Sequence, residues 1–264
     1  MNVTSKVHIA ARPEPLPAPR VEAETPRSRH EQLRPWLRHT AKSLRESPAQ
    51  YTPATQSAWE HFTSGCWSPI DSFEHEGVLY VIAQRVPQEL NGSKALTLRD
   101  QAVLNKIAEG VSNKCIAYEV GLSQATISMV KAQIHEKLNV RSNAELARLL
   151  WVLRSSARPQ AAAVAGYWVI DRQEYVAFSG RAETANIAML SRAERIVFEA
   201  VISGLATNEI ASLRGATPRT IANQLASIFR KLQLGSRSEL LARYAHCYRE
   251  SRPAHDQNAS TPTP

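Results

Sequence analysis

Cysteine is rare in this chain: Cys66, Cys115 and Cys247 are the only three in 264 residues. They are odd in number, far apart and form no CxxC pair, which excludes a disulfide framework and a cysteine-based zinc cluster. Aromatic residues make up only 6% of the chain, a composition that suits helices better than sheets. There is no GxxxxGK, no GxGxxG and no HExxH. The phosphate-binding, dinucleotide-binding and zinc-hydrolase chemistries that those spacings serve are therefore absent. No enzyme activity, cofactor or metal is expected. His61 with Cys66, and the Glu74-His75-Glu76 cluster, read as surface features.

Long apolar runs are missing too. The longest, AAAVAGYWVI over 161–170, falls far short of the ~20 residues needed to cross a bilayer. The N-terminal MNVTSKVHIAARPEP lacks the apolar core of a signal peptide. A cytoplasmic, nucleoid-associated protein without a membrane partner is expected.

What the chain does carry is positive charge. The net charge is +8 and the pI about 9.6, a balance that points to an anionic partner, most often nucleic acid. The excess is uneven. It is +3 over 96–154 and +5 over 188–249, against −3 over 51–95 and zero over 155–187. The two basic segments are also the two with helical periodicity.

Those segments repeat one another. GLSQATIS at 121–128 returns ninety-four positions later as GATPRTIA. Aligned without gaps, 96–146 and 190–240 agree at fifteen of fifty-one positions, Gly110, Ile116, Ala117, Gly121, Thr126 and Ile127 among them. Each copy is punctuated into four short helices. Thr97 with Asp100, and Ser191 with Glu194, have capping-box spacing and open the first helix. Gly110 and Gly204 end it. Ser112 opens the second helix of copy one, and Gly121 and Gly215 close the second helix of each copy. Ser123 and Thr217 cap the third, and Ser142 with Glu145, and Ser236 with Glu239, open the fourth. Apolar stripes at helical spacing run through Ile127, Val130, Ile134 and Leu138, and through Ile221, Leu225, Ile228 and Leu232. Two short helices joined by a glycine-containing turn, the second longer, describe a helix-turn-helix, whose second helix enters the DNA major groove.

Before each helical segment lies a candidate hairpin. One turns at His75–Gly77 and the other at Asp171-Arg172-Gln173. The expected organisation is a mostly disordered, basic, Pro-rich arm over 1–47, then a short helix plus β-hairpin over 48–90. A helix-turn-helix domain follows over 91–154, then a linker and second hairpin over 155–187. A second such domain spans 188–249, and 250–264 form a disordered tail. Residues 27–47 could form a short basic helix, which Pro35 would break or kink, and 87–95 read as a polar connection. The fold class is mainly α: two tandem four-helix helix-turn-helix domains, each preceded by a short β-hairpin, with disordered termini.

The stretch LTLRDQAVLNKIAEGVSNKCIAYEVGLSQATISMVKAQIHEKLNVRSNAEL resembles the LuxR/GerE-type DNA-binding domain of bacterial transcription regulators. The resemblance rests on Ser112-Asn113-Lys114-x-Ile116-Ala117, Gly121-x-Ser123, Thr126-Ile127 and Lys137-Leu138-x-Val140. The second copy matches through Asn208-Glu209-Ile210-Ala211, Thr220-Ile221 and Arg230-Lys231-Leu232. The family implies that the third helix reads DNA and the fourth often pairs two domains. By position, Ser112, Asn113, Lys114, Ser123 and Thr126 would contact phosphates, with Ser128, Met129 and Lys131 facing the groove. In copy two the phosphate group would be Thr207, Asn208, Thr217 and Thr220. Arg219, Asn223 and Gln224 are the candidates for base edges, since Arg pairs with guanine and Asn or Gln with adenine.

The chain departs from the family pattern at Ser128 and Val130, and at Ala222 and Gln224, where a basic residue and a histidine are common. Arg214 stands where Val120 stands in copy one. Leu213 is expected to take over that packing and leave Arg214 facing out.

The expected partner is double-stranded DNA, bound at paired half-sites. The two copies would act as an intramolecular pseudo-dimer, or each would pair in a homodimer. The alternative is a docking module for RNA polymerase or another regulator, in which only one copy binds DNA.

Overall fold

The two hairpins form, and they join into a single sheet. A computed structural model describes residues 26–43, 58–156, 164–181 and 187–248. Strand β1 (Trp67–His75) turns through Glu76 and Gly77, both at positive φ, into β2 (Val78–Arg85). Strand β3 (Val164–Ile170) turns through Asp171 and Arg172, again both at positive φ, into β4 (Gln173–Arg181). Two positive φ values match the right-handed twist of a two-residue hairpin. The inner strands β2 and β4 then pair antiparallel, giving the order β1-β2-β4-β3.

That pairing has its own two-fold register. Ile82 faces Ala177, its counterpart at the shift of ninety-five that aligns Tyr80-Val81 with Tyr175-Val176. Tyr80 faces Ser179 while Gln84 faces Tyr175, so each pair is mirrored by another about Ile82 and Ala177. Two hairpins expected as separate lead-ins thus make one self-complementary unit.

Both faces of this sheet are covered, so β2 and β4 are apolar on both sides. Leu79, Val81, Ala83, Val176 and Phe178 belong to the core beneath the first helical domain. Val78, Tyr80, Ile82, Tyr175 and Ala177 belong to a second core on the opposite face. Helix α1 (Pro26–Ser43) covers that face with Leu33, Leu37 and Ala41, all buried. Residues 26–43 of the arm expected over 1–47 are thus helical, in line with a helix over 27–47, while 1–25 and 44–47 lie outside the described residues. Pro35 sits inside the helix without ending it. Three buried apolar side chains at i, i+4 and i+8, with Trp36 edge-on to Trp168, outweigh the one backbone bond that Pro35 removes. Short α2 (Ala58–Thr63) precedes the sheet. Residues Gln88–Lys94 form helix α3 where a plain connection was expected.

The helical domains start and stop where their caps dictate. In the first, α4 (Leu98–Ala108) opens on the Thr97–Asp100 capping box, with bonds of 3.0 and 3.1 Å. Helices α5 (Asn113–Glu119), α6 (Gln124–Lys137) and α7 (Asn143–Ser156) follow Ser112, Ser123 and Ser142. In the second, α8 (Arg192–Ile202) opens on the Ser191–Glu194 box. Then come α9 (Thr207–Leu213), α10 (Pro218–Leu232) and α11 (Arg237–Tyr244), ending in a 3-10 turn at Ala245–Cys247. No described helix is long and apolar enough to cross a membrane.

Helix α7 is shared. Leu146, Leu149, Leu150 and Leu153 belong to the first domain's core, Ala144 and Ala147 to the second's, and Trp151 packs against both. Small residues on that stripe let the two domains approach closely.

Candidate nucleic-acid interface

Each domain builds its helix-turn-helix from the same parts. Ala117 and Ala211 are buried where the two helices of the motif cross. Gly121 and Gly215 hold φ of +67° and +58° at the turn, and a side chain there would meet only open space, so the backbone angle alone demands glycine. Ser123 then caps α6 by accepting the Thr126 N–H at 3.0 Å, and the two hydroxyls lie 2.8 Å apart. Thr217 caps α10 the same way, accepting from Thr220 at 3.1 Å with hydroxyls 2.9 Å apart. Both domains therefore present a pair of hydroxyls at the N-terminus of the long helix, where backbone N–H groups and the helix dipole favour a phosphate.

Around that shared frame the surfaces differ. On α5, Lys114 is exposed and Ser112 caps by accepting the Cys115 N–H. Asn113 accepts from the Lys131 ammonium at 3.1 Å, which ties α5 to α6. Lys131 is half-buried, and burial lowers its pKa. On α6, Ser128 and Met129 are exposed, and Ser128 bonds back to the Gln124 carbonyl. Val130 is core.

In the second domain Asn208 is exposed and Thr207 half-buried. The cap position of α9 is Ala206, which has no side-chain oxygen, so Glu209 alone closes that end. On α10, Arg219, Thr220 and Asn223 are exposed. Gln224 is half-buried and its oxygen accepts from Arg214 at 2.8 Å. The expectation for Leu213 and Arg214 is reversed: Leu213 is 74% exposed, and Arg214 folds inward onto Gln224 and the Ala193 carbonyl. The guanidinium finds two acceptors there, whereas the turn leaves Leu213 no apolar pocket.

Some surface positions escaped the sequence reading. Gln124, Ala125 and Ala132 lie on the exposed face of α6, and Ala226 on that of α10 beside Ala222 and Arg230, which the sequence already marks. Helical spacing counted from Ser128 and Arg219 would have found them. On α10 the stripe Arg219, Asn223, Ala226, Arg230 is continuous. The equivalent stripe on α6 is Ala125, Met129, Ala132, Glu136.

The domains also hold each other reciprocally. Gly110 ends α4 at φ +81°, and a Cβ there would lie 2.8 Å from the Glu239 backbone on α11. Its counterpart Gly204 ends α8, and a Cβ there would lie 3.2 Å from Ser142, beside α7. The end of each first helix thus abuts the fourth helix of the other domain. Arg148 on α7 adds a bond to the Ile202 carbonyl at 3.0 Å. An equivalent ion pair sits inside each domain: Lys137 with Asp100 at 2.8 Å, and Lys231 with Glu194 at 2.6 Å.

Comparison with known proteins agrees with this geometry. The family described as bacterial regulatory proteins, luxR family, matches residues 94–150 and again 188–245. Nodulation protein W of Bradyrhizobium diazoefficiens is 36% identical over 76 residues, 28% of this chain and 34% of that protein. Transcriptional regulatory protein UhpA of Escherichia coli is 43% identical over 56 residues, 21% of this chain and 29% of that protein. The chain thus aligns with about a third of the length of these relatives. No solved structure matches it. Residues 94–150 and 188–245, the two helical units, thus each resemble the luxR family of bacterial regulatory proteins, one match after the other along the chain.

Proposed function

We propose that the protein is a sequence-specific DNA-binding regulator that engages two half-sites with one chain, as a covalent pseudo-dimer. The observation that carries this reading is the reciprocal contact of Gly110 with α11 and of Gly204 with α7. It packs the two domains against each other, which supports their acting together on a paired site. One such domain alone buries too little surface for tight specific binding. Ser112, Asn113, Lys114, Ser123 and Thr126 contact phosphates on one half-site, as Thr207, Asn208, Thr217 and Thr220 do on the other. Ser128, Met129 and Lys131 lie along the first groove. Arg219 and Asn223 read base edges in the second, and Gln224 is available there when Arg214 releases it.

The test is footprinting combined with stoichiometry on a selected duplex. One chain should protect two half-sites about one helical turn apart, and inserting half a turn between them should abolish the paired footprint. Protection of a single half-site, or two chains per paired site, would overturn the reading.

A second reading has specific support. The α6 face is uncharged along Ala125, Met129 and Ala132, with Met129 63% exposed and Tyr118 on α5 89% exposed. Such a face suits a protein partner, RNA polymerase or another regulator, with only the second domain on DNA. Charge reversal at Lys114 and Lys131 discriminates the two: it weakens DNA binding under the first reading and leaves it unchanged under the second.

A further inference from the structure

Away from the reading helices, a cavity of about 250 Å³ lies where α1, β1, the α6–α7 turn, α7 and Tyr248 meet. Its lining is arginine-rich. Arg34 and Arg38 enter from α1, Arg141 from the turn and Arg148 from α7, against two carboxylates, Asp71 and Glu145. Both carboxylates are already engaged. Asp71 takes two bonds from Arg38, at 2.5 and 2.9 Å, and lies 3.4 Å from Arg34. Glu145 accepts the Arg141 backbone N–H at 2.7 Å. Among the described residues neither Arg141 nor Arg148 forms an ion pair.

Arg148 is the anomaly. It is 4% exposed, yet among the described residues its Nε has no hydrogen-bond partner. The rest of the guanidinium rests on the Ile202 carbonyl and on the Tyr248 ring, 4.1 Å away. Neither neighbour carries the negative charge that a buried cation ordinarily requires, and Glu145 acts on the guanidinium only through space, without an ion pair among the described residues. Arg141 and Arg34 are exposed at the mouth, so the cavity runs from open cations to a buried one.

We infer that this cavity binds a small dianion, a phosphate monoester or a dicarboxylate, with Arg148 at its floor and Arg141 at its mouth. The lining carries four arginines and two acids, a net charge of +2, which a dianion neutralises. Guanidinium is the group that holds phosphate and carboxylate through paired N–H donors. The volume is below the ~300–1,000 Å³ of pockets for drug-sized ligands, so the ligand is a compact metabolite. The unpaired Nε–H of Arg148 gains an acceptor when the ligand is bound.

The test is titration of the full chain with inorganic phosphate, glycerol 3-phosphate and succinate, read by calorimetry and by the NMR resonance of the Arg148 Nε–H. At least one probe should bind and move that resonance. Arg148→Lys keeps the charge but removes the Nε donor, and should weaken binding by about tenfold or more. Arg141→Gln, at the exposed mouth, should do the same and serves if the buried variant does not fold. Arg99→Gln, an exposed change on α4, should leave binding unchanged. Tighter binding of glycerol 3-phosphate assigns a phosphoryl ligand, and tighter binding of succinate a dicarboxylate. The proposal is overturned if no probe shifts the resonance at about 10 mM. It is equally overturned if both cavity variants bind as the parent does, or if Arg99→Gln weakens binding as much as they do.

Discussion

The two helix-turn-helix domains share a frame and differ in where they keep their charge. In the first, the cations stand on or against the positioning helix: Lys114 exposed on α5, and Lys131 drawn back onto Asn113. Its reading stripe is Ala125, Met129, Ala132 and Glu136. In the second, Lys114 is replaced by Asn208, and the cations move onto the reading helix itself as Arg219 and Arg230. Duplication kept the core and the caps of the first, third and fourth helices, which hold the fold, and let the exposed positions and the cap of the second helix diverge. On the proposed reading, the first domain grips the backbone and the second reads bases.

The sharpest way to break this contrast is at Arg219. Arg219→Ala should cost about 1–3 kcal/mol of binding at the preferred site, roughly tenfold to a hundredfold, and relax selectivity at one base position. Met129→Ala, at the equivalent position of Asn223, should stay within about 0.5 kcal/mol, as an exposed surface change does. Fluorescence anisotropy on one labelled duplex compares the two directly. Equal losses would show that both domains read bases.

The interface between the domains is also unequal. At Gly110 the obstacle to a side chain is the Glu239 backbone, which cannot move aside, and at Gly204 it is the Ser142 hydroxyl, which can. Gly110→Ala should therefore lower Tm by roughly 5–10 °C, from overlap added to left-handed strain, and Gly204→Ala by about half as much. Calorimetric melting of the full chain measures both. A larger loss at Gly204 would mean that the contact at Gly110 is not the tighter one.

Most of the helical architecture was legible because it is local. Thr97 with Asp100, Ser191 with Glu194, and the hydroxyls at 123 and 217 each act over three or four residues, so spacing alone locates the helix. The sheet was not legible as one sheet. Each hairpin carries its own turn, but the β2–β4 pairing joins residues about ninety-five apart, and no local signal encodes that register. Helix α1 was legible only as a short segment that Pro35 would interrupt, because the apolar face that carries it through Pro35 lies on strands far along the chain. The surface swap of Leu213 and Arg214 turned on which acceptors, Gln224 and the Ala193 carbonyl, stand nearby in space. Glycines 110 and 204 were read as helix ends, which they are, but their close approach to the opposite domain became visible only in the fold.

Salt gives a gentler probe of the same contrast. If Lys114 neutralises a phosphate, Lys114→Ala should reduce the slope of log affinity against log salt by about 1, with little change in sequence preference. Asn208→Ala, at the equivalent place, carries no charge and should leave the slope unchanged. A titration of binding from low to moderate salt reads both. An unchanged slope for Lys114→Ala would remove it from the backbone contacts.

The smallest effect concerns the paired carboxylates at the first turn of each domain. Glu194 is held down to about 2 by hydrogen bonds from Lys231, Ser227 and Ser191. Asp100 is also lowered: burial works against it, but Lys137 and Thr97 prevail. Both carboxylates titrate lower in the folded chain than in the unfolded one. Each therefore adds stability that is complete above its unfolded pKa and is lost as pH falls through the folded one. For Glu194 that window runs from its ordinary 4.5 down to about 2. Melting curves from pH 6 to pH 3 should show Glu194→Gln losing less stability on acidification than the parent, because the group that titrates is gone. Asp100→Asn should show the same change to a smaller degree, since burial is the leading influence at Asp100 but a lesser one at Glu194, which also has Ser227 as an additional donor. A parent whose acid loss is unaltered by Glu194→Gln would place that loss on other carboxylates and leave the two ion pairs equivalent.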